Sequence, residues 1–154
     1  MRYADIKKFD INNGPGVRVS LWVTGCEFRC VGCHNKSIQN RNEGELFTEA
    51  TLERLFELMD EDIPKELSIL GGEPLTPYNR KDIIYICRKV KEKFPERKIW
   101  LWTGYTFEYI EKAIPELLTY VDVIVDGLFV EELHDESLMY RGSSNQRIVY
   151  VNEL

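Results

Sequence analysis

Three cysteines within eight residues, Cys26, Cys30 and Cys33, form the densest cluster of potential chemistry in the sequence. They lie in Gly25-Cys26-Glu27-Phe28-Arg29-Cys30-Val31-Gly32-Cys33-His34-Asn35, with the spacing C-x3-C-x2-C. Thiolates are soft ligands that suit iron–sulfur clusters or zinc. Three of them can hold three irons of a four-iron cluster and leave the fourth iron open to a substrate. An open position is what chemistry needs, whereas a structural metal site is closed. The closed alternative is zinc on the three cysteines plus His34 or Cys87. His34 directly follows Cys33, and adjacent side chains rarely reach one tetrahedron. Cys87 falls on the apolar stripe of an expected helix and reads as a small core residue. On this loop alone, cluster and zinc both stand.

The cysteine loop follows a strand expected over Val17 to Thr24, which alternates and is rich in β-branched and aromatic residues. A turn cluster, Asn12-Asn13-Gly14-Pro15-Gly16, precedes it. Thr48 is placed to cap a helix running to about Met59, with Leu52, Leu55, Phe56 and Met59 on its apolar face. A short buried strand, Leu67 to Leu70, ends at Gly71-Gly72. Asn79 is the expected cap of a helix whose stripe is Ile83, Ile86, Cys87, Val90 and Phe94, with Pro95 as a stop. Further strands are expected over Lys98 to Thr103, Val121 to Val125 and Arg147 to Val151, with a helix from Thr106 to about Ala113.

Strands alternating with helices predict a parallel α/β architecture. Polar and glycine-rich residues recur at the C-terminal ends of the strands: Cys26, Gly71-Gly72, Thr103-Gly104 and Asp126-Gly127. That edge is where sites are built in α/β sheets and barrels. A full eight-fold barrel needs roughly 250 residues. The 154 residues here predict an incomplete parallel β/α barrel of roughly five strands, forming a single domain over 1–154.

Composition adds exclusions. The net charge of −6 and the absence of a basic stripe argue against nucleic acid as the main partner. No apolar run approaches the ~20 residues of a membrane span, and the charged start does not read as a signal peptide, so a cytoplasmic protein is expected.

The cysteine loop after the first predicted strand, with Gly71-Gly72-Glu73-Pro74 after the second, resembles the radical S-adenosylmethionine (SAM) superfamily. The usual aromatic residue before the last cysteine is replaced by Gly32, and a ring follows one place later as His34. Asn13-Gly14-Pro15-Gly16, Gly25-Cys26 and Gly32-Cys33-His34-Asn35 are similar to the glycyl-radical-enzyme activases. Ile99 to Tyr105, Val125-Asp126-Gly127 and Arg141 to Arg147 sharpen the resemblance to the activases of anaerobic ribonucleotide reductases, across nearly the whole chain.

That resemblance implies one [4Fe–4S] cluster on Cys26, Cys30 and Cys33, and SAM as cosubstrate. It implies SAM contacts at Gly71, Gly72, Glu73 and Pro74, with Glu73 near the SAM ammonium. Gly32, Cys33 and His34 would lie by the adenine or cluster, and Asp126 either touches SAM or caps a turn. No further catalytic side chain is implied. The implied reaction is reductive cleavage of SAM to a 5′-deoxyadenosyl radical that makes a glycyl radical on the reductase. The implied electron donor is a reduced flavodoxin or a ferredoxin-type protein. Arg141 to Arg147 are candidates for SAM or partner contact, while Trp100 and Trp102 read as core and His134 as solvated. Two other functions fit parts of the pattern. A zinc or redox-sensing module accounts for the cysteines but not for Gly71 to Pro74. Another radical SAM enzyme, acting on a small molecule or a different glycyl radical enzyme, accounts for both.

Overall fold

The computed structural model describes residues 1–28 and 38–153. Seven strands form one mixed sheet among these residues: β1 (Arg2–Asp10), β2 (Arg18–Val23), β3 (Glu45–Leu46), β4 (Glu66–Gly71), β5 (Ile99–Trp102), β6 (Val123–Asp126) and β7 (Arg147–Tyr150). Three α-helices accompany them: α1 (Glu49–Asp60), α2 (Arg80–Lys93) and α3 (Phe107–Ala113). The sheet order is β3-β1-β2-β4-β5-β6-β7. β2, β4, β5 and β6 are parallel, and β1, β3 and β7 pair antiparallel. The sheet is not closed, since β3 and β7 are its two edges.

The expectation of about five strands, all parallel, is corrected. The five expected strands are present, but β1 and β3 were not anticipated. β1 reads RYADIKKFD, and register shifts between Tyr3 and Asp5 and between Lys7 and Asp10 break the two-residue alternation that marks a strand. β3 is only two residues long. The chain between β6 and β7 contains no α-helix, and β7 returns antiparallel. A parallel return would require a crossover, usually helical.

The two faces of the sheet differ because successive strand residues point to opposite sides. Val19, Leu21, Leu67, Ile69, Ile99, Leu101 and Ile124 face the helices and join Leu55, Met59, Ile83, Ile86, Cys87, Val90 and Ile110 in the main core. Trp100, Val123 and Val125 belong to a second, smaller cluster with Trp102, Tyr140 and Ile148. Thr48 caps α1 as expected: Thr51 N donates to Thr48 Oγ1, and Thr48 N donates back to Thr51 Oγ1. Asn79 departs from expectation. Its side chain makes no cap bond; Nδ2 donates instead to the carbonyls of Thr24 and Glu73, 3.0 and 3.2 Å away. The residue is buried, and its amide is used to join the ends of β2 and β4 rather than to start α2.

Candidate functional site

The C-terminal ends of the four parallel strands meet around an open cavity of about 510 Å³. Cys26 reaches it from beyond β2, Gly71 to Glu73 from β4, Thr103 and Gly104 from β5, and Gly127 from β6. Pocket volumes that take a small molecule run from roughly 300 to 1,000 Å³.

Backbone bonds stitch these strand ends together. Gly72 N donates to Val23 O at 2.8 Å, and Glu73 N to Gly25 O at 2.6 Å. The approach is so close that a Cβ on Gly72 would lie 2.4 Å from Gly25 O. Gly71 has φ +112°, a conformation that favours glycine. Gly72→Ala is therefore expected to cost roughly 2–3 kcal/mol, the scale of overpacking a tight site. A urea unfolding midpoint equal to wild type would show that the strand ends are not locked in this way. The cysteine segment is pinned at both ends: Gly25 N donates to Ile38 O and Cys26 N to Gln39 O, each at 2.8 Å. Thr103 N donates to Val125 O at 3.0 Å, joining β5 to β6.

Glu73 links the two pairs. Its carboxylate is 2% exposed and lines the cavity. Oε2 accepts from Leu75 N at 2.9 Å and Thr103 Oγ1 at 2.6 Å, and Oε1 accepts from Gly104 N at 2.7 Å. Burial pushes its pKa up to about 7, against the three donors, which favour the ionised form. A carboxylate offers about four acceptor sites, so one remains after these bonds.

Asp126 does not line the cavity. Its carboxylate is buried, takes the Phe107 N–H at the start of α3 at 2.7 Å, and pairs with Arg147. Arg147 also holds Glu108, whose pKa is drawn down to about 2 by that hydrogen bond. Pro74 is buried and also absent from the cavity wall. Cys30, Gly32, Cys33 and His34 lie outside the described residues. Cys87 sits in the main core with its thiol pushed up to about 12 by burial, so it is neither near the cavity nor a thiolate.

Several cavity residues were not anticipated. Trp22 and Trp102 line it, and Trp102 Nε1 donates to Tyr140 O at 2.7 Å. Phe28, two residues after Cys26, packs edge-on against Tyr105 with centroids 4.8 Å apart. Asn12 and Asn13 enter from the turn before β2, and His134 from the segment after β6. Within the expected segment 141–147, Arg141, Gly142 and Gln146 line the cavity, while Arg147 turns to Asp126. Gln146 organises this wall: Oε1 accepts from Gly142 N and Ser143 N, and Nε2 donates to Gly127 O.

A soft donor, Cys26, thus stands at the rim of a cavity with close-packed glycine backbone on one side and aromatic rings on others. These residues fit an iron–sulfur cluster at the Cys26 end and an organic ligand beside it. The family model for a 4Fe-4S single cluster domain matches residues 12–149. The anaerobic ribonucleoside-triphosphate reductase-activating protein of Enterobacteria phage T4 is 46% identical over 148 residues, which cover 96% of this chain and 93% of that protein. Its namesake in Escherichia coli K12 is 40% identical over 95% of this chain and 96% of its own. That of Vibrio cholerae is 39% identical over 96% of this chain and 97% of its own. The chain belongs to the family of anaerobic ribonucleoside-triphosphate reductase-activating proteins.

Proposed function

We propose that this protein activates an anaerobic ribonucleoside-triphosphate reductase by generating a glycyl radical on it. The observation that carries this reading is the placement of Cys26 and Gly71 to Glu73 on one cavity, in a chain of this family. We read the open sheet as a partial barrel of radical SAM type, formed by 1–154 as one cytoplasmic domain. No helix among the described residues is long and apolar enough to cross a membrane.

Cys26, Cys30 and Cys33 would hold the [4Fe–4S] cluster. When bound, the cluster and SAM would supply the one-electron reductive chemistry by which a hydrogen is taken from a glycine Cα of the reductase. The chain's own residues position and enclose. Gly71 and Gly72 let the end of β4 close on the Val23–Gly25 backbone beside Cys26, and the spare acceptor site of Glu73 suits an ammonium. Trp22, Phe28 and Trp102 supply apolar walls that exclude water. The electron would come from a reduced flavodoxin or ferredoxin-type donor.

The test is to mix the reduced, cluster-loaded protein with SAM and the reductase under strict anaerobiosis and record the electron paramagnetic resonance spectrum. A glycyl doublet on the reductase is expected. SAM cleavage without that doublet, accompanied by turnover of a small molecule, would sink the assignment.

A further inference from the structure

Arg141 is a cation on the cavity wall whose hydrogen-bonding capacity the protein leaves largely unspent. Its guanidinium carries five N–H donors. One nitrogen, Nη1, donates to Gln146 O at 3.0 Å. Nε is buried and has no hydrogen-bond partner among the described residues. A buried donor without an acceptor is costly, and more so on a charged group. Arg147 in the same segment contrasts with it, being tied to both Asp126 and Glu108. Asp135 is close enough to Arg141 to feel its charge, but its Oδ1 accepts from Ser137 N at 2.9 Å and from the Ser137 hydroxyl.

The segment that carries Arg141 is held in place. Gly142 N is fixed by Gln146 Oε1, and Gln146 Nε2 is fixed by Gly127 O at the end of β6. The guanidinium is therefore mounted on the sheet rather than on a free strand of chain.

Among the described residues, the other charged groups on the cavity wall are Glu73, Asp135 and Glu136, all acidic. On this part of the wall a polyanion such as a triphosphate would meet three carboxylates against one guanidinium. A ligand with a single carboxylate and adjacent positive charge balances the wall. An α-amino acid with a second cation has that character. We propose that Arg141 binds the carboxylate of the cavity's ligand and selects for a zwitterionic amino-acid end. This inference rests on the reading of SAM as that ligand and adds the residue that recognises its carboxylate.

The test is equilibrium binding to the anaerobic, cluster-loaded protein, with SAM and its decarboxylated analogue as the two probes. Arg–carboxylate pairs are among the stronger charge-assisted hydrogen bonds. Arg141→Gln is expected to weaken SAM about ten-fold or more and the analogue by less than about two-fold. Any contribution of the carboxylate to iron binding is common to both proteins and cancels in this comparison. Iron content and unfolding midpoint monitor the fold. If Arg141→Gln does not hold its fold, Arg141→Lys serves, since it keeps the charge but loses the planar fork; a carboxylate-selective loss of about three-fold is expected. Equal weakening of both probes, or no weakening of SAM, would overturn the role of Arg141. Failure of SAM to bind the wild-type protein would instead overturn the reading of the cavity itself.

Discussion

Replacing Cys26 with alanine is expected to remove iron binding and all radical-generating activity, while Cys87→Ala keeps both. The contrast follows from placement. Cys26 lines the cavity at the end of β2, and Cys87 is wholly buried between α2 and the sheet. Cys87 is enclosed by apolar side chains of the main core, with no route among the described residues from there to the cavity that Cys26 lines. Cys87→Ala trades a sulfur for a small void and should cost about 1 kcal/mol. Cys30→Ala and Cys33→Ala should behave as Cys26→Ala, by the spacing of the three residues. The measurements are iron and sulfide content after anaerobic reconstitution, and the glycyl radical yield. Iron retained by Cys26→Ala and lost from Cys87→Ala would show that the ligand set is wrong.

Glu73→Gln is expected to flatten the dependence of stability on pH, the variant being less stable than wild type near pH 4.5 and no less stable above about pH 7. The wild-type carboxylate takes three donors. A glutamine can satisfy those on one oxygen, but its amide N–H groups then face another N–H. The cost of that mismatch is roughly 1–3 kcal/mol. The pH effect has a definite sign. The folded pKa of about 7 lies above the ordinary 4.5, so the folded state holds its proton longer than the unfolded chain. Stability conferred by this group is present below about pH 4.5, falls as pH rises toward 7, and is level above that. The shift corresponds to a loss on the order of 3 kcal/mol. Urea unfolding at steps from pH 4.5 to 8 checks this in both proteins. A wild-type difference from Glu73→Gln that is constant across the range would show that Glu73 does not titrate as described. Because the same carboxylate ties β4 to the β5 loop and lines the cavity, affinity for the proposed ligand SAM should fall in the variant even at pH values where its stability does not.

The elements that carry the site were legible because their signals are local. The strands ending at Cys26, Gly71 and Thr103 read out from β-branched and apolar runs closed by glycine or polar residues. The caps at Thr48 and Thr106 read out from one side chain and its following turn. What stayed hidden depends on residues far apart in the chain. Asn79 looks like a cap in sequence, yet its amide bonds to Thr24, and nothing near Asn79 announces that partner. Trp100 and Trp102 share one strand face by their alternation. Alternation does not say which face the helices cover, so Trp102 could not be assigned to a cavity wall. Glu73 was identified by its motif, but its bonds to Thr103 and Gly104 appear only once β4 and β5 lie side by side. His134 is exposed, as its charged neighbours suggest, and only the path of the segment after β6 brings it to the cavity wall. β1 was masked by its own irregularity, since two register shifts scatter its apolar residues over both faces.

The pinned neck of the cysteine segment bears on how the metal site is assembled. Gly25 and Cys26 are bonded to Ile38 and Gln39, so the chain leaves and rejoins the sheet at one point. The loss of chain freedom needed to bring those two points together is met by the sheet and not by iron. Closing a loop costs more entropy as it lengthens, though only about 0.6 kcal/mol for each doubling. Most of the entropy is lost when the ends are fixed, and here they are already fixed. A zinc finger, by contrast, is unfolded without its metal because the metal is what closes the chain. On this geometry, folding and metal insertion are expected to be separable events, with the iron-free polypeptide keeping its sheet.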